Sequence, residues 1–256
     1  MPSGFQRIGS IVIIKLKDPK HEKKIAQFIL DNYPGVKTVC RYADKVKGEL
    51  REPTVEYVLG DKNTEVMHKE NDCIYKLDVT KVMFSKGNLK ERGRVAELVQ
   101  RGETVIDMFA GIGYFSIPIA KRHPSVLIYA IEKNPNAIEY LYTNKALNKA
   151  KNMKIVEGDC RHQLQLEKRA DRIIMGYLPK TYQFLPAAFN MLKREGIIHY
   201  HDTYSKGELW DKPIKVLEDA AEKAGYKLKE VLYKGKVKEF APNVFHIIID
   251  ARFSSI

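Results

Sequence analysis

A glycine-rich segment, DMFAGIGYFSI, lies between two apolar runs and has the residue types of a ligand-binding turn. Gly111 and Gly113 have no Cβ, so the backbone at the junction of a strand and a helix can approach a ligand closely. The third position of the dinucleotide-binding glycine pattern is Ser116, and glycine is preferred there when a dinucleotide is bound. The segment therefore favours a nucleoside-type ligand and argues against a nicotinamide dinucleotide.

Two acidic residues mark the ends of the next two predicted strands. Glu132 ends the first of them, where a carboxylate can accept hydrogen bonds from ribose hydroxyls. Asp159 and Cys160 follow the second, in a position that can flank the edge of an adenine. Together with the glycine-rich segment, these residues predict an adenosine-containing cofactor, which we assign as S-adenosylmethionine. The alternative is an α/β domain in which the same residues occupy ordinary turns.

His199, His201 and Asp202, in the segment IIHYHD, have side chains that bind metals. The two histidines alternate, so they share one face of a strand. Neither a cysteine partner nor a further histidine at ligand spacing accompanies them. We therefore expect hydrogen-bonded core histidines and no metal site. We also do not expect Cys160 to act as a nucleophile.

Positioning these residues requires alternating strands and helices, and the sequence from Thr104 onward has that pattern. Near-continuous apolar strands separated by helices are typical of a doubly wound parallel sheet covered on both faces. The predicted strands are TVIDMFA, VLIYAIEK, MKIVEGD, RIIMGYL and GIIHYHD, and the predicted helices are YFSIPIAKRH and NAIEYLYTNKALNKA. The tail that follows predicts one further helix and two β runs, which we expect to pair antiparallel at the sheet edge.

A small α+β module is predicted for residues 1–80, ahead of an α/β domain at residues 81–256. Short β-rich runs separated by Gly, Asp and Asn turns fill residues 38–80. A helix from about Leu89 to Gln100 then leads into the second domain.

The start of the small module has its own signals. IGSIVIIKL predicts a strand, and Asp18 followed by Pro19 predicts the beginning of a helix. The buried stripe of that helix is expected at Ile25, Phe28 and Ile29.

Composition limits the class of protein and its partners. The chain has 44 Lys+Arg against 32 Asp+Glu, a net charge of +12, which indicates either a polyanion partner such as nucleic acid or a Lys-rich solvated face. No apolar run approaches the ~20 residues of a membrane span. The beginning, MPSGFQRIGS, has no secretory pattern, and 3 scattered cysteines fit a reducing cytoplasm.

The chain resembles the enzymes that modify the purine 3′ of the tRNA anticodon, namely the tRNA (guanine-N1) methyltransferases and the wybutosine-synthesising 3-amino-3-carboxypropyl transferases. The resemblance covers nearly the whole chain and implies a Rossmann-like class I methyltransferase domain after the small module, S-adenosylmethionine as cofactor, and the anticodon loop of tRNA(Phe) as partner. It rests on these motifs in order: RIGSIVIIKL, KGELREPTVEYVLG, LDVTKVMFS, ERGRVAELV, DMFAGIGYFSIPIA, DRIIMGYLP and VKEFAPNVFHIIID.

Two positions distinguish the branches of this family. In the methyltransferase branch, the strand corresponding to IIMGYLPK ends Asn-Leu-Pro or Asn-Pro-Pro, whereas Tyr177 stands here in place of the Asn. The same branch carries Pro-Arg at the positions of Lys86 and Gly87, and that arginine assists methyl transfer. MFSKGN is similar instead to the aminocarboxypropyl branch. The resemblance therefore implies transfer of the 3-amino-3-carboxypropyl group to 4-demethylwyosine at position 37, with release of 5′-methylthioadenosine.

The resemblance also implies roles for individual residues. Tyr177 and Pro179 form the catalytic turn, with Tyr177 as an aromatic wall and Pro179 shaping the turn. Arg92 grips the cofactor carboxylate in two parallel hydrogen bonds, and Lys86 and Lys90 meet tRNA phosphates. The cofactor-binding set is Ser85, Arg92, Asp107, Phe109, Gly111, Gly113, Glu132, Asp159 and Cys160.

Each of these roles has an alternative interpretation that is purely structural. Arg92 can belong to an ion pair on a helix surface, Tyr177 can simply pack in the core, and the two lysines can lie on a solvated face. Two other functions also remain open: a methyltransferase acting on guanine N1 or on the tricyclic base, and a tRNA-binding protein that holds the cofactor without doing chemistry. The intact glycine loop, Glu132 and Asp159 disfavour the second.

Overall fold

The N-terminal part of the protein is a four-stranded sheet that carries one helix. The computed structural model describes residues 4–16, 18–44 and 46–256, without the side chains of Pro19 and Lys86. The strands of this sheet, in spatial order, are β1 (Phe5–Ile8), β2 (Ile11–Ile14), β3 (Thr38–Tyr42) and β4 (Val55–Gly60). Helix α1 (Glu22–Asn32) covers one face through buried Ala26 and Ile29.

Three sequence expectations for this part need correction. IGSIVIIKL is not one strand, because Gly9 adopts a φ of +53° and turns the chain, so that β1 and β2 pair antiparallel. Phe28 is 46% exposed and does not belong to the buried stripe of α1. The predicted helix begins later than expected, because residues 19–21 form a separate 3-10 turn and α1 starts at Glu22. The Asp18 carboxylate accepts a hydrogen bond of 3.0 Å from the backbone N–H of Lys20, in the turn that precedes α1.

A two-stranded hairpin links the two parts of the chain. It consists of β5 (Glu65–Glu70) and β6 (Cys73–Asp78). The free edge of β6 is hydrogen-bonded to helix α4 (Pro135–Leu147) through two asparagine side chains. Asn144 of α4 accepts from the backbone N–H of Lys76 at 2.6 Å, and Asn148, the C-cap residue, accepts from that of Ile74 at 2.9 Å. The hairpin thus packs on the C-terminal part, and the domain boundary at residue 80 stays a prediction.

The C-terminal part is built on a seven-stranded sheet with the spatial order β12-β13-β11-β10-β7-β8-β9. Five neighbouring strands, β11, β10, β7, β8 and β9, run parallel to one another. Strand β13 pairs antiparallel with β11 and with β12. Their bounds are β7 (Thr104–Asp107), β8 (Leu127–Glu132), β9 (Met153–Glu157), β10 (Ala170–Met175), β11 (Leu192–Ser205), β12 (Tyr226–Ala241) and β13 (Val244–Ser255). The prediction of a doubly wound sheet with an antiparallel edge is confirmed.

Helices cover both faces of this sheet. Besides α4, they are α2 (Leu89–Leu98), α3 (Ser116–Arg122), α5 (Leu185–Met191) and α6 (Asp211–Lys223). Successive strand residues alternate between two cores: Val105 packs with α2, α3 and α4, whereas Ile106 packs with α5 and α6. In the described ranges, no helix combines the length and apolarity that crossing a membrane requires.

The chain order of the strands reverses at β7. From β7 the chain builds outward through β8 and β9, and then returns to place β10 on the other side of β7. Ligands of open α/β sheets bind at such a switch point, beyond the carboxyl ends of the strands. The fold therefore locates a candidate site at the end of β7 and β10.

Candidate functional site

A cavity lies at the carboxyl ends of β7, β8, β9 and β10, as the switch point predicts. Its wall contains segments that follow each of these strands, together with residues from the loop between β3 and β4, from the stretch before α2 and from β12. Predicted site residues on this wall are Ser85, Arg92, Phe109, Gly111, Glu132, Asp159, Cys160 and Tyr177. Asp107, Gly113, Pro179 and Lys90 are not on the wall, and the Lys86 side chain lies outside the described part of the structure.

The glycine loop needs both of its glycines, for different reasons. Gly111 has a φ of +56°, and a Cβ there would lie 2.6 Å from the Tyr114 ring. Gly113 has a φ of +100°, and its Cβ would lie 2.4 Å from Cδ1 of Ile117. Gly111 therefore shapes the cavity wall, while Gly113 allows the loop to pack on α3.

Asp107, which the sequence predicts to bind the cofactor, lies behind this loop and not on the cavity wall. It is fully buried at the end of β7 and accepts hydrogen bonds from Ser116 Oγ at 2.7 Å and from the N–H of Phe109 at 3.3 Å. Burial raises the pKa of Asp107 to about 6. Ser116, which occupies the third position of the glycine pattern, is thus the hydrogen-bond partner of a buried carboxyl group.

Glu132 is held by three backbone donors. Its Oε2 accepts from the N–H of Gly111 at 2.6 Å, and its Oε1 accepts from those of Lys133 at 2.9 Å and Asn134 at 2.7 Å. Burial raises the pKa of Glu132, and the three backbone hydrogen bonds oppose that rise. Each carboxylate oxygen has more than one acceptor position. A fixed carboxylate on the wall of a cavity fits the two hydroxyls of a ribose.

Asp159 and Cys160 follow β9 on the same wall. Asp159 accepts hydrogen bonds from the N–H of Arg161 at 2.9 Å and from Lys133 Nζ at 3.1 Å. Its hydrogen bonds with Arg161, and then with Lys133, hold the pKa of Asp159 well below its usual range. Burial raises the pKa of the Cys160 thiol to about 12. A thiol that remains protonated is a poor nucleophile.

Arg92 lies in the interior and not in an ion pair on a helix surface. It is 2% exposed, pairs with Glu70 of β5, and donates from Nη2 to the backbone carbonyl of Ser85 at 2.7 Å. Its guanidinium also lies 4.5 Å from the centroid of the Tyr114 ring. The buried Nε has no hydrogen-bond partner among the described atoms. Because Nη1 and Nη2 already bind protein acceptors and Nε is inaccessible, a role for this guanidinium in holding a ligand carboxylate stays a prediction.

The turn after β10 presents an aromatic wall. The Tyr177 ring packs against Phe109, with 5.1 Å between centroids, and against Phe184, with 5.3 Å. Its hydroxyl donates to the backbone carbonyl of Glu49 at 3.3 Å. Tyr177 is half-buried and faces the cavity, so it packs against neighbours without being a sealed core residue.

Asp202 fixes the shape of this turn, a role that the sequence did not reveal. It accepts hydrogen bonds from the backbone N–H groups of Lys180 at 2.8 Å and Tyr182 at 3.1 Å. Lys180 has a φ of +70° and follows Pro179, which is joined to Leu178 by a cis peptide bond. The only signal in the sequence was an acid near the end of the strand next to β10.

Both histidines of β11 lie in the core, but only His199 is hydrogen-bonded through both ring nitrogens, because the buried Nε2 of His201 has no hydrogen-bond partner among the described atoms. His199 Nδ1 lies 2.6 Å from Asp250 Oδ1, and its Nε2 lies 2.8 Å from Nη1 of Arg172. His201 Nδ1 lies 3.1 Å from Nε2 of His246. Within the described ranges, no cluster of three potential metal ligands occurs.

A loop of the N-terminal sheet also reaches the cavity, and sequence reasoning assigned none of its residues. Glu49 pairs with Lys133 Nζ at 2.9 Å and with Arg161 Nη2 at 3.0 Å. The carbonyl of Leu50 accepts from Asn134 Nδ2 at 3.1 Å, and the guanidinium of Arg51 lies 5.6 Å from the Tyr177 ring centroid. The loop lies within the motif KGELREP, so the resemblance contained the signal.

The strand β12, near the end of the chain, contributes Lys238 and Phe240 to the cavity wall. Lys238 Nζ donates to Ser85 Oγ at 3.1 Å. A Cβ on Gly87 would lie 3.0 Å from the same Nζ, so the missing side chain at position 87 leaves room for the lysine. These contacts join segments far apart in sequence, which is why spacing did not predict them.

The fold and the cavity together define a Rossmann-like protein of the class I methyltransferase type with a site that fits an adenosine-containing amino-acid ligand. Comparison with known families is more specific. The TRM5/TYW2 methyltransferase domain matches residues 66–229, and the TYW2 N-terminal domain matches residues 1–64. The chain belongs to the TRM5/TYW2 family.

Individual relatives cover the whole chain. It is 44% identical to the tRNA(Phe) (4-demethylwyosine(37)-C(7)) aminocarboxypropyltransferase of Methanocaldococcus jannaschii, over 98% of both proteins. The structure of M. jannaschii TYW2 with AdoMet superposes with a TM-score of 0.82 at 40% identity, covering 99% of this chain and 100% of that one. P. horikoshii TYW2 with MeSAdo gives 0.87 at 37% identity, covering 99% and 92%.

The methyltransferase branch has the same fold. The structure of Trm5b from Pyrococcus abyssi superposes with a TM-score of 0.89 at 38% identity, covering 99% of this chain and 76% of that one. Backbone similarity therefore does not distinguish the two branches, and side chains in the cavity must do so.

Proposed function

We propose that this protein transfers the 3-amino-3-carboxypropyl group of S-adenosylmethionine to 4-demethylwyosine at position 37 of tRNA(Phe) and releases 5′-methylthioadenosine. The observation that carries the proposal is the aromatic wall of Tyr177, Phe109 and Phe184 at the end of β10. The similarity over full length to an aminocarboxypropyltransferase and to TYW2 structures with AdoMet and MeSAdo supports it.

The cavity residues would hold the cofactor in the following way. Glu132, fixed by three N–H donors, accepts the ribose hydroxyls. Asp159 and Cys160 flank the adenine, and Arg92 with Ser85 receives the carboxylate of the amino-acid part. When bound, S-adenosylmethionine supplies a sulfonium with three activated carbons, and the nucleophile attacks the carbon that lies in line with it at about 3 to 3.5 Å while the C–S bond breaks and the thioether leaves. The protein selects the reaction by fixing orientation.

The turn after β10 explains why the methyl carbon would not be chosen. Methylation of guanine N1 requires removal of the N1 proton and stabilisation of charge on O6, which hydrogen-bonding and cationic groups perform. This turn contributes Gly176, Tyr177 and Leu178 to the cavity wall, and none of their side chains contains an amide or a carboxylate group. An aromatic wall suits a flat tricyclic base, whose carbon is the nucleophile.

A methyltransferase remains the second candidate, because the Trm5b fold superposes as closely as the TYW2 folds do. A tRNA-binding protein without chemistry is less well supported, since such a protein needs neither the fixed Glu132 nor the partly unpaired Arg92.

Several finer assignments belong to the same proposal. The anticodon loop is the part of tRNA(Phe) that enters the cavity, Lys86 and Lys90 contact its phosphates, and Pro179 shapes the catalytic turn. Residues 1–80 and 81–256 are the two structural units. The three cysteines are free and buried, which suits a cytoplasmic protein.

The deciding experiment uses S-adenosylmethionine labelled either in the methyl group or in the carboxyl carbon, with precursor-containing tRNA as acceptor. We expect the carboxyl label in the tRNA and methylthioadenosine in solution. Methyl label in the tRNA would identify a methyltransferase. The matched control is the same tRNA with unmodified guanosine at position 37, which the guanine-N1 alternative predicts to be the better acceptor.

A further inference from the structure

Most charged side chains on the cavity wall are neutralised by a partner. Glu49 pairs with Lys133, Asp159 pairs with Lys133 and Arg161, and Arg92 pairs with Glu70. Glu132 is satisfied by backbone N–H groups. The exceptions are Arg51 and Lys238, for which no carboxylate partner is found within residues 4–16, 18–44 and 46–256.

Arg51 comes from the N-terminal sheet and is positioned by its loop. The neighbouring residues Glu49 and Leu50 bind Lys133, Arg161 and Asn134, which fixes the loop against the C-terminal part. The guanidinium of Arg51 is half-buried over the Tyr177 ring, and its burial lowers its pKa. Its hydrogen-bond donors have no protein acceptor in the described structure, so they are available to a ligand.

Lys238 comes from the far end of the chain, on β12. Its Nζ donates to Ser85 Oγ and occupies the space beside Gly87. Burial, and then the charge of Arg92, lower its pKa. Lys238 as a whole is exposed, but its ammonium is close enough to the Arg92 guanidinium to be affected by that charge and has no carboxylate partner in the described ranges, which is electrostatically unfavourable. An anion that enters this part of the cavity would relieve that cost.

We propose that Arg51 and Lys238 bind the two backbone phosphates of the RNA that flank the nucleotide in the cavity. The inference rests on the proposed function, because a nucleotide can bring its base to Tyr177 only together with its 5′ and 3′ phosphates. One cation then comes from each structural part, so the RNA strand is held across the junction between them. The other source of an anion in this cavity is the carboxylate of the cofactor.

The test compares the charge-removing variants Arg51→Gln, Lys238→Gln and their combination in two binding experiments. The first measures the affinity for precursor-containing tRNA as a function of salt, and the second measures the affinity for S-adenosylmethionine by calorimetry. Each single variant is expected to weaken tRNA binding about tenfold, as for a charged hydrogen bond. Each is also expected to reduce the log–log salt slope by about 0.7, the value for one phosphate of a single strand. Cofactor affinity should not change in Arg51→Gln and should change less than twofold in Lys238→Gln, whose Nζ bonds to the Ser85 hydroxyl.

The loop offers a matched control. Lys47 is exposed, is near the same turn, pairs with Asp44 at 3.7 Å and is not on the cavity wall. Lys47→Gln should change tRNA affinity less than twofold, within the range of a surface ion pair. Arg51→Lys and Lys238→Arg retain the charge and should retain the salt slope. Urea unfolding of every variant verifies that differences in binding do not come from loss of fold.

Two results would overturn the proposal. A loss of cofactor affinity with an unchanged salt slope would assign the cations to the carboxylate of the cofactor, and unchanged binding in both experiments would leave them without a ligand role. Failure of the proposed function looks different. Methyl label in the tRNA, with reduced salt slopes in the variants, would reject aminocarboxypropyl transfer and keep the phosphate contacts.

Discussion

Glu132 Oε2 accepts a hydrogen bond of 2.6 Å from the backbone N–H of Gly111, so the acid at the end of β8 holds the glycine loop that follows β7. Its second oxygen accepts from Lys133 and Asn134. The two elements on which a nucleoside site depends are therefore connected within the protein itself. A carboxylate fixed in this way loses little freedom when it binds hydroxyl groups.

Replacing Glu132 by Gln tests this connection. The amide group would direct N–H donors at backbone N–H donors, so both the loop and the ribose contacts should suffer. We expect the affinity for S-adenosylmethionine, measured by calorimetry, to fall by about 1.5 to 3 kcal/mol. The control is Glu157→Gln, because Glu157 stands next to Glu132 in the β8–β9 register but is exposed and bonds to Tyr142. Equal affinities of both variants and the native protein would contradict the assignment.

Removing Arg92 should affect the fold and the cofactor together. Arg92→Ala leaves the buried carboxylate of Glu70 with only His68 at 3.6 Å, which we expect to cost about 3 kcal/mol in the free energy of unfolding, the lower end of the range for a broken buried pair. The double variant Glu70→Gln/Arg92→Gln removes both charges and should unfold at higher urea than Arg92→Ala. If Arg92 receives the cofactor carboxylate, the double variant will bind S-adenosylmethionine more weakly than the native protein does. Native affinity in the double variant would limit Arg92 to a structural role.

The ring of Tyr177 should matter more than its hydroxyl. The hydroxyl makes one hydrogen bond of 3.3 Å, whereas the ring packs against two phenylalanines. Tyr177→Phe is therefore expected to retain kcat within about twofold, and Tyr177→Ala to lose on the order of 100-fold, the scale of a misplaced substrate. Single-turnover transfer of the carboxyl label gives both values. A large loss in Tyr177→Phe would instead point to acid–base chemistry at the hydroxyl.

Asp202 acts through the turn and is a positioning residue. Asp202→Asn replaces one acceptor for the N–H groups of Lys180 and Tyr182 by a donor. We expect kcat to fall about tenfold, which is less than the loss of about 100-fold expected when a reacting group is misplaced. The affinity for S-adenosylmethionine should not change. Asp171→Asn is the control, since Asp171 accepts from the N–H of Thr104 at the other end of β10. If both variants lose only stability, Asp202 has no part in positioning.

The buried His246 predicts a pH dependence of stability. Burial, and then the charge of Lys238, lower its pKa to about 4. The unfolded chain has a histidine pKa of about 6.5, so below that pH the unfolded state binds a proton that the folded state does not. Stability is therefore lost as the pH falls from about 6.5 to 4, by about 2 kcal/mol between pH 7 and pH 5. Urea unfolding of the native protein and of His246→Gln should show this difference, and parallel pH profiles would refute it.

Local patterns predicted those features that depend on neighbours in the chain. The alternation of apolar strands with helices from Thr104 onward was confirmed because each element buries a stripe of its own sequence. Local pattern was insufficient for IGSIVIIKL, where the turn at Gly9 interrupts an apolar run, and for Phe28, which the helical spacing places near the buried stripe but which is exposed.

The sequence by itself determined the doubly wound fold and several of the residues of the cavity, because a glycine loop and strand-end acids lie at fixed places relative to their own strands. Only the tertiary structure showed that Asp107 lies behind the wall, that Arg92 pairs with Glu70, and that Arg51 and Lys238 reach the same cavity. These relationships join residues from separate elements. They arise from the packing of the loop between β3 and β4, of α2 and of β12 around the switch point, which no spacing along the chain encodes.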